Sequence, residues 1–340
     1  MSPIISVIIP VYNAQDHLNE CLDSLINQSL RDIEIICVDD GSTDNSLAIS
    51  QQYAQKDNRI NVLPQSNQSA GAARNHGLTK ATGKYVYFLD ADDWIEETAL
   101  AGMVDLIEEK QVPFLKFRAR LYDNEAKKLL ENGYGDWIDP CYLDNYVYQD
   151  SGMVELPDTP WSGLYNRSFL EKNHIYFDPF VCNNDCGFFM RCVAHTKRTY
   201  YSSQYFVHHR CNVQKSLITR RAEHFECVTS LLDVIDSSLT HLPPNIQYII
   251  KQKLVIICLH WWWKCLKHPS NTWKIYDKMY ALMTPYIEHA KYLCTTKFLM
   301  KQHRLVKKKL LLEKVLRIFS VRKRAGEIRL FLFGKSIKLQ

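Results

Sequence analysis

Four apolar runs in the first 90 residues limit the fold of this chain more than any other feature. They are residues 4–9 (IISVII), 33–40 (IEIICVDD), 60–65 (INVLPQ) and 84–90 (KYVYFLD). Each is of strand length, and in all but the short third run the apolar residues run on rather than alternate. That is the mark of strands buried on both faces. Between them, Leu18, Cys21, Leu22, Leu25 and Ile26 recur at helical spacing, and Ser42, Thr43 and Asp44 are capping candidates for a helix over 46–55. Residues 69–81 (SAGAARNHGLTKA) predict a small-residue helix. Strand and helix in alternation predict an α/β fold, a mixed, mostly parallel sheet flanked by helices. Ligands of such sheets gather beyond the carboxyl ends of the strands. Tyr12, Asp39, Asp40, Asp90 and Asp92 all fall there.

The pattern loosens after about residue 110. Residues 111–220 hold aromatics, turns and short apolar pieces, expected as further strands and substrate-side loops. Residues 221–340 read as a helical C-terminal region. The expected organisation is a domain over 1–220, its halves meeting near residue 110, followed by that region. A hydrophobic share of 46% supplies a sizeable core. The 11 cysteines include no C-x-x-C pair, as expected of reduced thiols in the cytoplasm, and the spacing of Cys182, Cys186 and Cys192 fits no standard zinc pattern. The first residues carry no basic segment ahead of an apolar stretch, so a signal peptide is not expected. The run 254–263 contains His260 and is too short to cross a bilayer.

The net charge of +5 hides an asymmetry. From residue 300 onward there are 13 basic and two acidic residues, against 29 and 35 before it. Residues 305–319 (LVKKKLLLEKVLRIF) set Leu305, Leu310, Leu311, Leu312, Val315, Leu316 and Phe319 against five cations. This predicts a helix lying on an anionic membrane surface, with residues 301–340 as the attachment. The plainer reading is a helix packed on its own domain. Nucleic acid is not an expected partner, because the tail's charges are not interleaved with aromatics for base stacking.

Asp90-Ala91-Asp92 ends the fourth apolar run as a D-x-D pair, and paired carboxylates suit a hard divalent cation, Mn²⁺ or Mg²⁺. The pair stands in a series: VIIPVYN, VDDGSTDNS, SNQSAGAARNHG, FLDADD, WSGLYNRSFLEKNHIYFD, NNDCGFF and HHRCNVQKSL. In that order the series resembles the inverting family 2 glycosyltransferases with the GT-A fold. The resemblance covers about residues 4–220 and is weak beyond.

The resemblance implies a role for each matching residue. Asp92 is the main metal ligand and Asp90 lies near the ribose and sugar, with His208 a weaker candidate ligand. Pro10, Tyr12, Asp39 and Asp40 form a nucleoside pocket. There Asp40 accepts the ring imide of uracil, with Asp39 nearby. Asn67 lies near the nucleotide. Arg74 offers a fixed fork for phosphate or for orienting the carboxylates. Arg210 and Ser216 belong to a segment that closes over the diphosphate. Ser69 stands where relatives often have glycine, and Gly71 is a substitute source of flexibility. Asp185 is the candidate base for the attacking hydroxyl. Asn184 replaces the usual Glu beside it. Trp161 is the acceptor-side aromatic. Plainer readings stand beside these: helix caps for Asp44, Asp93 and Asp185, core burial for Trp161, and a structural role for His208.

The expected activity is metal-dependent, inverting transfer of a sugar from a nucleotide-sugar, UDP-linked, to a hydroxyl of a growing glycan. Such acceptors include lipid-linked glycans, lipopolysaccharide and capsule built at the inner face of a bacterial cytoplasmic membrane. Two other readings compete with this one. A dinucleotide oxidoreductase needs G-x-G-x-x-G after its first strand, and PVYNAQD has none. The other rival, a catalytically inactive binding or scaffolding member, is favoured only by Asn184.

Overall fold

The computed structural model describes residues 2–149, 152–180, 184–212, 242–244 and 247, and the backbone of 319–324, 327–332 and 335–339. The chain divides into two compact units, Met1–Ala281 and Leu282–Gln340.

In the first unit the expected alternation is present: β1 (Ile5–Val11), α1 (Leu18–Ile26), β2 (Ile33–Asp39), α2 (Ser46–Lys56), β3 (Ile60–Pro64), α3 (Ala70–Lys80) and β4 (Tyr85–Phe88). Then come β5 (Trp94–Ile95), α4 (Ala99–Lys110), β6 (Phe114–Asp123), β7 (Lys128–Leu129), β8 (Asn145–Tyr148), β9 (Gly163–Asn166), α5 (Arg167–Lys172), α6 (Asn184–Ala194) and β10 (Arg198–Cys211). The strands form one mixed sheet ordered β3-β2-β1-β4-β9-β6-β10-β5, with β7 beside β6 and β8 beside β10. β1 pairs in parallel with both β2 and β4. The chain therefore works outward from β1 to β3 and then crosses back to β4 on the other side. The crevice at such a reversal is where ligands of α/β sheets bind.

Alternate residues of β1 serve opposite cores. Ile5, Val7, Ile9 and Val11 pack with α1 and α4 on one face, whereas Ile8 joins Val86, Phe88 and residues of α3 and α6 on the other. Two buried faces explain why the run reads as continuously apolar. β9 comes late in the chain yet sits in the middle of the sheet. It pairs antiparallel with β4 (Val86↔Tyr165) and with β6 (Leu115↔Leu164).

In the second unit the described residues form a three-stranded antiparallel meander, β11 (Phe319–Arg324), β12 (Glu327–Leu332) and β13 (Lys335–Leu339). This corrects the helical expectation for the end of the chain. VRKRAGEIRLFLFGKSIKL breaks at Ala-Gly and Phe-Gly into short alternating pieces, and a period of two favours strands. The register sets Val321, Leu330 and Ile337 in one row and Arg322, Arg329 and Lys338 in the next. Apart from residues 242–244 and 247, the expected helices of 221–318, including nearly all of the amphipathic segment 305–319, lie outside the described residues, as do Cys182 and Ser216. Among the described residues no helix is long and apolar enough to cross a membrane.

Candidate active site

The ends of β1, β2 and β4 bring the sequence-selected residues together. Pro10 and Tyr12 close β1, and the Tyr12 ring is 51% exposed, open to stack on a planar base. At the end of β2 both carboxylates are buried, but they are used differently. Asp40 accepts from Gln65 Nε2 (2.8 Å) and Gln68 N–H (2.8 Å) on one oxygen and from Ser69 N–H (2.9 Å) on the other. Asp39 Oδ2 accepts from Ser42 N–H at 3.2 Å, while its Oδ1 is buried with no hydrogen-bond partner. A buried acceptor left open is costly and points to a missing donor. Asp40 was expected to face the base, but its oxygens are committed to ordering the loop that carries exposed Asn67. Asp44 accepts from Ser46 N–H and Gln15 N–H and so ties the turn ahead of α2, whose cap position is Asn45 rather than Asp44.

That loop enters α3 through Ser69, whose backbone sits at φ 108°, ψ 157°, a conformation suited to glycine. Gly71 serves a different purpose from the expected flexibility. A Cβ there would lie 2.6 Å from the Asp178 carbonyl and 3.0 Å from Asn184 Cβ, so its bare backbone lets α3 meet the start of α6.

Arg74, on α3, spans the crevice. One terminal nitrogen donates to Asp90 Oδ1 at 2.6 Å and the other to Asn184 Oδ1 at 3.2 Å. Its guanidinium lies 5.3 Å from the centre of the Phe177 ring. Asn184 also donates to Phe180 O at 3.1 Å. Asp185 follows in the first turn of α6, half-buried, with Oδ1 accepting from Cys186 N–H at 2.9 Å.

Ligand oxygens of Asp90, Asp92 and Asp93 lie within 4.8 Å of one another. Burial, then the neighbouring Asp93 and Asp90 charges, push the Asp92 pKa upward. A divalent cation would remove that penalty. This donor set of hard oxygens, with Ala91 as the small spacer, fits Mg²⁺ or Mn²⁺.

Asp93 is not the solvated helix cap that its sequence position suggested. It is 1% exposed and accepts from the His209 ring (Nδ1, 2.9 Å) and from Arg210 N–H (2.8 Å). Burial alone would lower the His209 pKa, but the Asp93 charge outweighs it and favours imidazolium. Neighbours on a strand face opposite ways, so His208 is turned aside. Its ring stacks on Trp94 at 4.8 Å and its Nε2 meets Glu96 Oε1 at 2.7 Å. His208 therefore does not join the carboxylate group, and His209, not singled out as a ligand or anchor, backs it instead. Strand parity within HHR was the signal available.

Two further expectations are revised. Trp161 is 3% exposed, with its ring stacked on His209 at 4.5 Å, so it is core rather than an acceptor platform. Arg210 is 6% exposed and fully engaged: it donates to Asp92 O (2.9 Å), to Asn124 Oδ1 (3.1 Å) and to Glu20, and lies over Trp94. In this arrangement it braces the D-x-D turn rather than offering donors to a phosphate.

Comparisons with known proteins agree with this geometry. The model of the family "Glycosyl transferase family 2" matches residues 6–174. EpsH of Bacillus subtilis, described provisionally as a glycosyltransferase, is 32% identical over 226 residues, covering 63% of this chain and 64% of its own. The chain thus spans slightly less than two thirds of that relative. Among solved structures, residues 1–349 of S. aureus TarS in complex with UDP-GlcNAc align with a TM-score of 0.64 at 18% identity over 99% of both chains. A mannosyltransferase of Pyrobaculum calidifontis in complex with GDP-Man and Mn²⁺ aligns with a TM-score of 0.55 at 16% identity, over 90% of this chain and 86% of that one. Residues 6–174 are thus a glycosyl transferase family 2 domain, and the fold is GT-A.

Proposed function

We propose that this chain transfers a sugar from a UDP-sugar to a hydroxyl of a growing glycan, with inversion at the anomeric carbon. The observation that carries the reading is the Asp90–Asp92 pair at the end of β4, beside the reversal in strand order and gripped by Arg74. Asp92 and Asp90 would hold Mn²⁺ or Mg²⁺, and a bound cation supplies charge neutralisation for the departing nucleoside diphosphate. Tyr12 would pack on the base. Asp39 Oδ1, buried and open, would accept the imide N–H of uracil, in place of Asp40. Asp185 would take the acceptor hydroxyl's proton as it attacks, the service a single displacement requires. That TarS was solved with UDP-GlcNAc, and the mannosyltransferase with GDP-Man and Mn²⁺, supports a nucleotide-sugar donor and a cation.

The acceptor side is the wider step. A lipid-linked or surface glycan, of the lipopolysaccharide or capsule kind, made at the inner face of a bacterial membrane, suits the basic end of the chain. Asn184 favours a second reading, a non-catalytic nucleotide-sugar binder. Thermal shifts with UDP, GDP and their sugars, with and without Mn²⁺, test donor binding, and hydrolysis of the bound donor separates the two readings. A protein unmoved by every nucleotide would refute both.

A further inference from the structure

Trp137 is the most exposed large apolar side chain among the described residues, at 61%. It is nonetheless firmly presented. Its ring meets Tyr134 edge to face at 4.6 Å, and Tyr134 packs on Trp161 at 4.7 Å. Trp161 stacks on His209, whose ring bonds Asp93 behind the D-x-D pair. An aromatic ladder thus runs from the metal-type carboxylates to the surface and ends in an open indole.

The turn carrying the ladder is fixed at its base. Tyr134 exchanges backbone hydrogen bonds with Ala119 of β6, and Asp136 accepts from Gly133 N–H (2.7 Å) and Arg118 Nε (2.9 Å). Ring contacts of 4.6 Å and 6.3 Å link Trp137 to Tyr134 and Tyr134 to His209, so the indole is two ring contacts from the residue that backs Asp93.

A wet indole held by rigid neighbours gains little for folding, since it forgoes most of the burial that an aromatic ring can supply. It suits a ligand with an apolar face and a hydroxylated rim. The sugar ring is such a ligand: its C–H face packs on the indole while its hydroxyls reach charged neighbours. Arg118 and Asp136, paired with each other and part-exposed at 18% and 27%, hold the turn that carries the tryptophan.

The geometry points to Trp137 as the platform of an acceptor subsite, stacking on a sugar of the acceptor glycan set back from the hydroxyl that reacts. The inference rests on the glycosyl-transfer reading and gives the acceptor side the aromatic that buried Trp161 cannot be. Trp137 is a binding residue, and no chemistry passes through it.

The test uses the full chain with UDP and Mn²⁺, and cellotriose, chitotriose and maltotriose as probes in saturation-transfer NMR. At least one probe should bind wild type. Trp137→Ala should weaken it by about tenfold, the scale of losing a central aromatic contact, and Trp137→Phe should recover part of the loss. Circular dichroism checks that both variants are folded. Binding indifferent to Trp137→Ala, binding of no probe by wild type, or self-association of wild type that Trp137→Ala abolishes would each overturn the subsite. Nucleotide binding by the wild-type protein is measured alongside. If it is present while the saccharide arm fails, the subsite alone falls; if it is absent, the donor reading falls.

Discussion

Ser69→Gly should stabilise this protein. Ser69 occupies φ 108°, ψ 157°, and a non-glycine residue there costs about 1–3 kcal/mol. Two terms oppose the gain. The Ser69 hydroxyl accepts from Ala72 N–H at 3.4 Å as the cap of α3, and exchanging a serine cap for glycine costs only a few tenths of a kcal/mol. Glycine also loosens the unfolded chain, worth about 0.4–1 kcal/mol. The balance is a gain of about 1 kcal/mol, and a Tm higher by about 2–4 °C for a domain of this size. The bond from Ser69 N–H to Asp40 comes from the backbone and survives. Ser69→Ala is the control, since it keeps the Cβ and loses the cap, so it should fall below wild type. Thermal melts of the nucleotide-free proteins should rank Gly above Ser above Ala. A glycine variant that melts with the alanine variant, below wild type, would show that the backbone at residue 69 is unstrained.

The remaining predictions concern the site and the tail. Asp92→Ala should abolish transfer and remove any Mn²⁺-dependent stabilisation by UDP; wild-type transfer in excess chelator would count equally against a metal role. Asp185→Asn should keep donor binding and slow transfer by about a hundredfold, the scale of removing a general base, and normal turnover in a folded variant would reduce Asp185 to a cap. Asp39→Asn should weaken UDP binding with little change in melting temperature. Asp40→Asn should instead cost about 1.5–3 kcal/mol of stability, because charged hydrogen bonds to Gln65, Gln68 and Ser69 are lost or weakened. Equal effects of the two on binding and melting would erase that division of labour. The full chain should co-sediment with anionic vesicles in low salt, and a chain ending at residue 300 should not; equal binding by both would detach the basic tail from any membrane role.

The donor half was legible because its signals are local. Ile5 to Val11 is apolar at almost every position since both faces are covered, and a strand that ends in Asp90-Ala91-Asp92 announces a ligand end. What was misread depended on contacts distant in sequence. His208 and His209 are equal as letters, and only the register of β10 decides which one faces Asp93. Asp39 and Asp40 likewise differ only through Gln65, Gln68 and Ser69, which come 25 or more residues later. Trp161 matched a motif, but its ring was claimed by His209, 48 positions on. Trp137 belongs to no motif, and exposure alone distinguishes it. At the end of the chain a dense mixture of apolar and basic residues satisfied both periods. The Gly326 and Gly334 breaks were the better guide there.

The central place of β9 bears on how the molecule is made. Residues 163–166 complete the sheet between β4 and β6, although both of those strands leave the ribosome well before them. The parallel strands β1 to β4 can pair as they emerge. The second half has no bridge to them until β9 arrives, and such distant pairings carry a loop-closure cost that slows assembly. Until then the edges of β4 and β6 are open, and exposed edges invite association with other chains. Asp90 and Asp185 stand on opposite sides of this seam in sequence, so the nascent chain gains its site only when the sheet is closed.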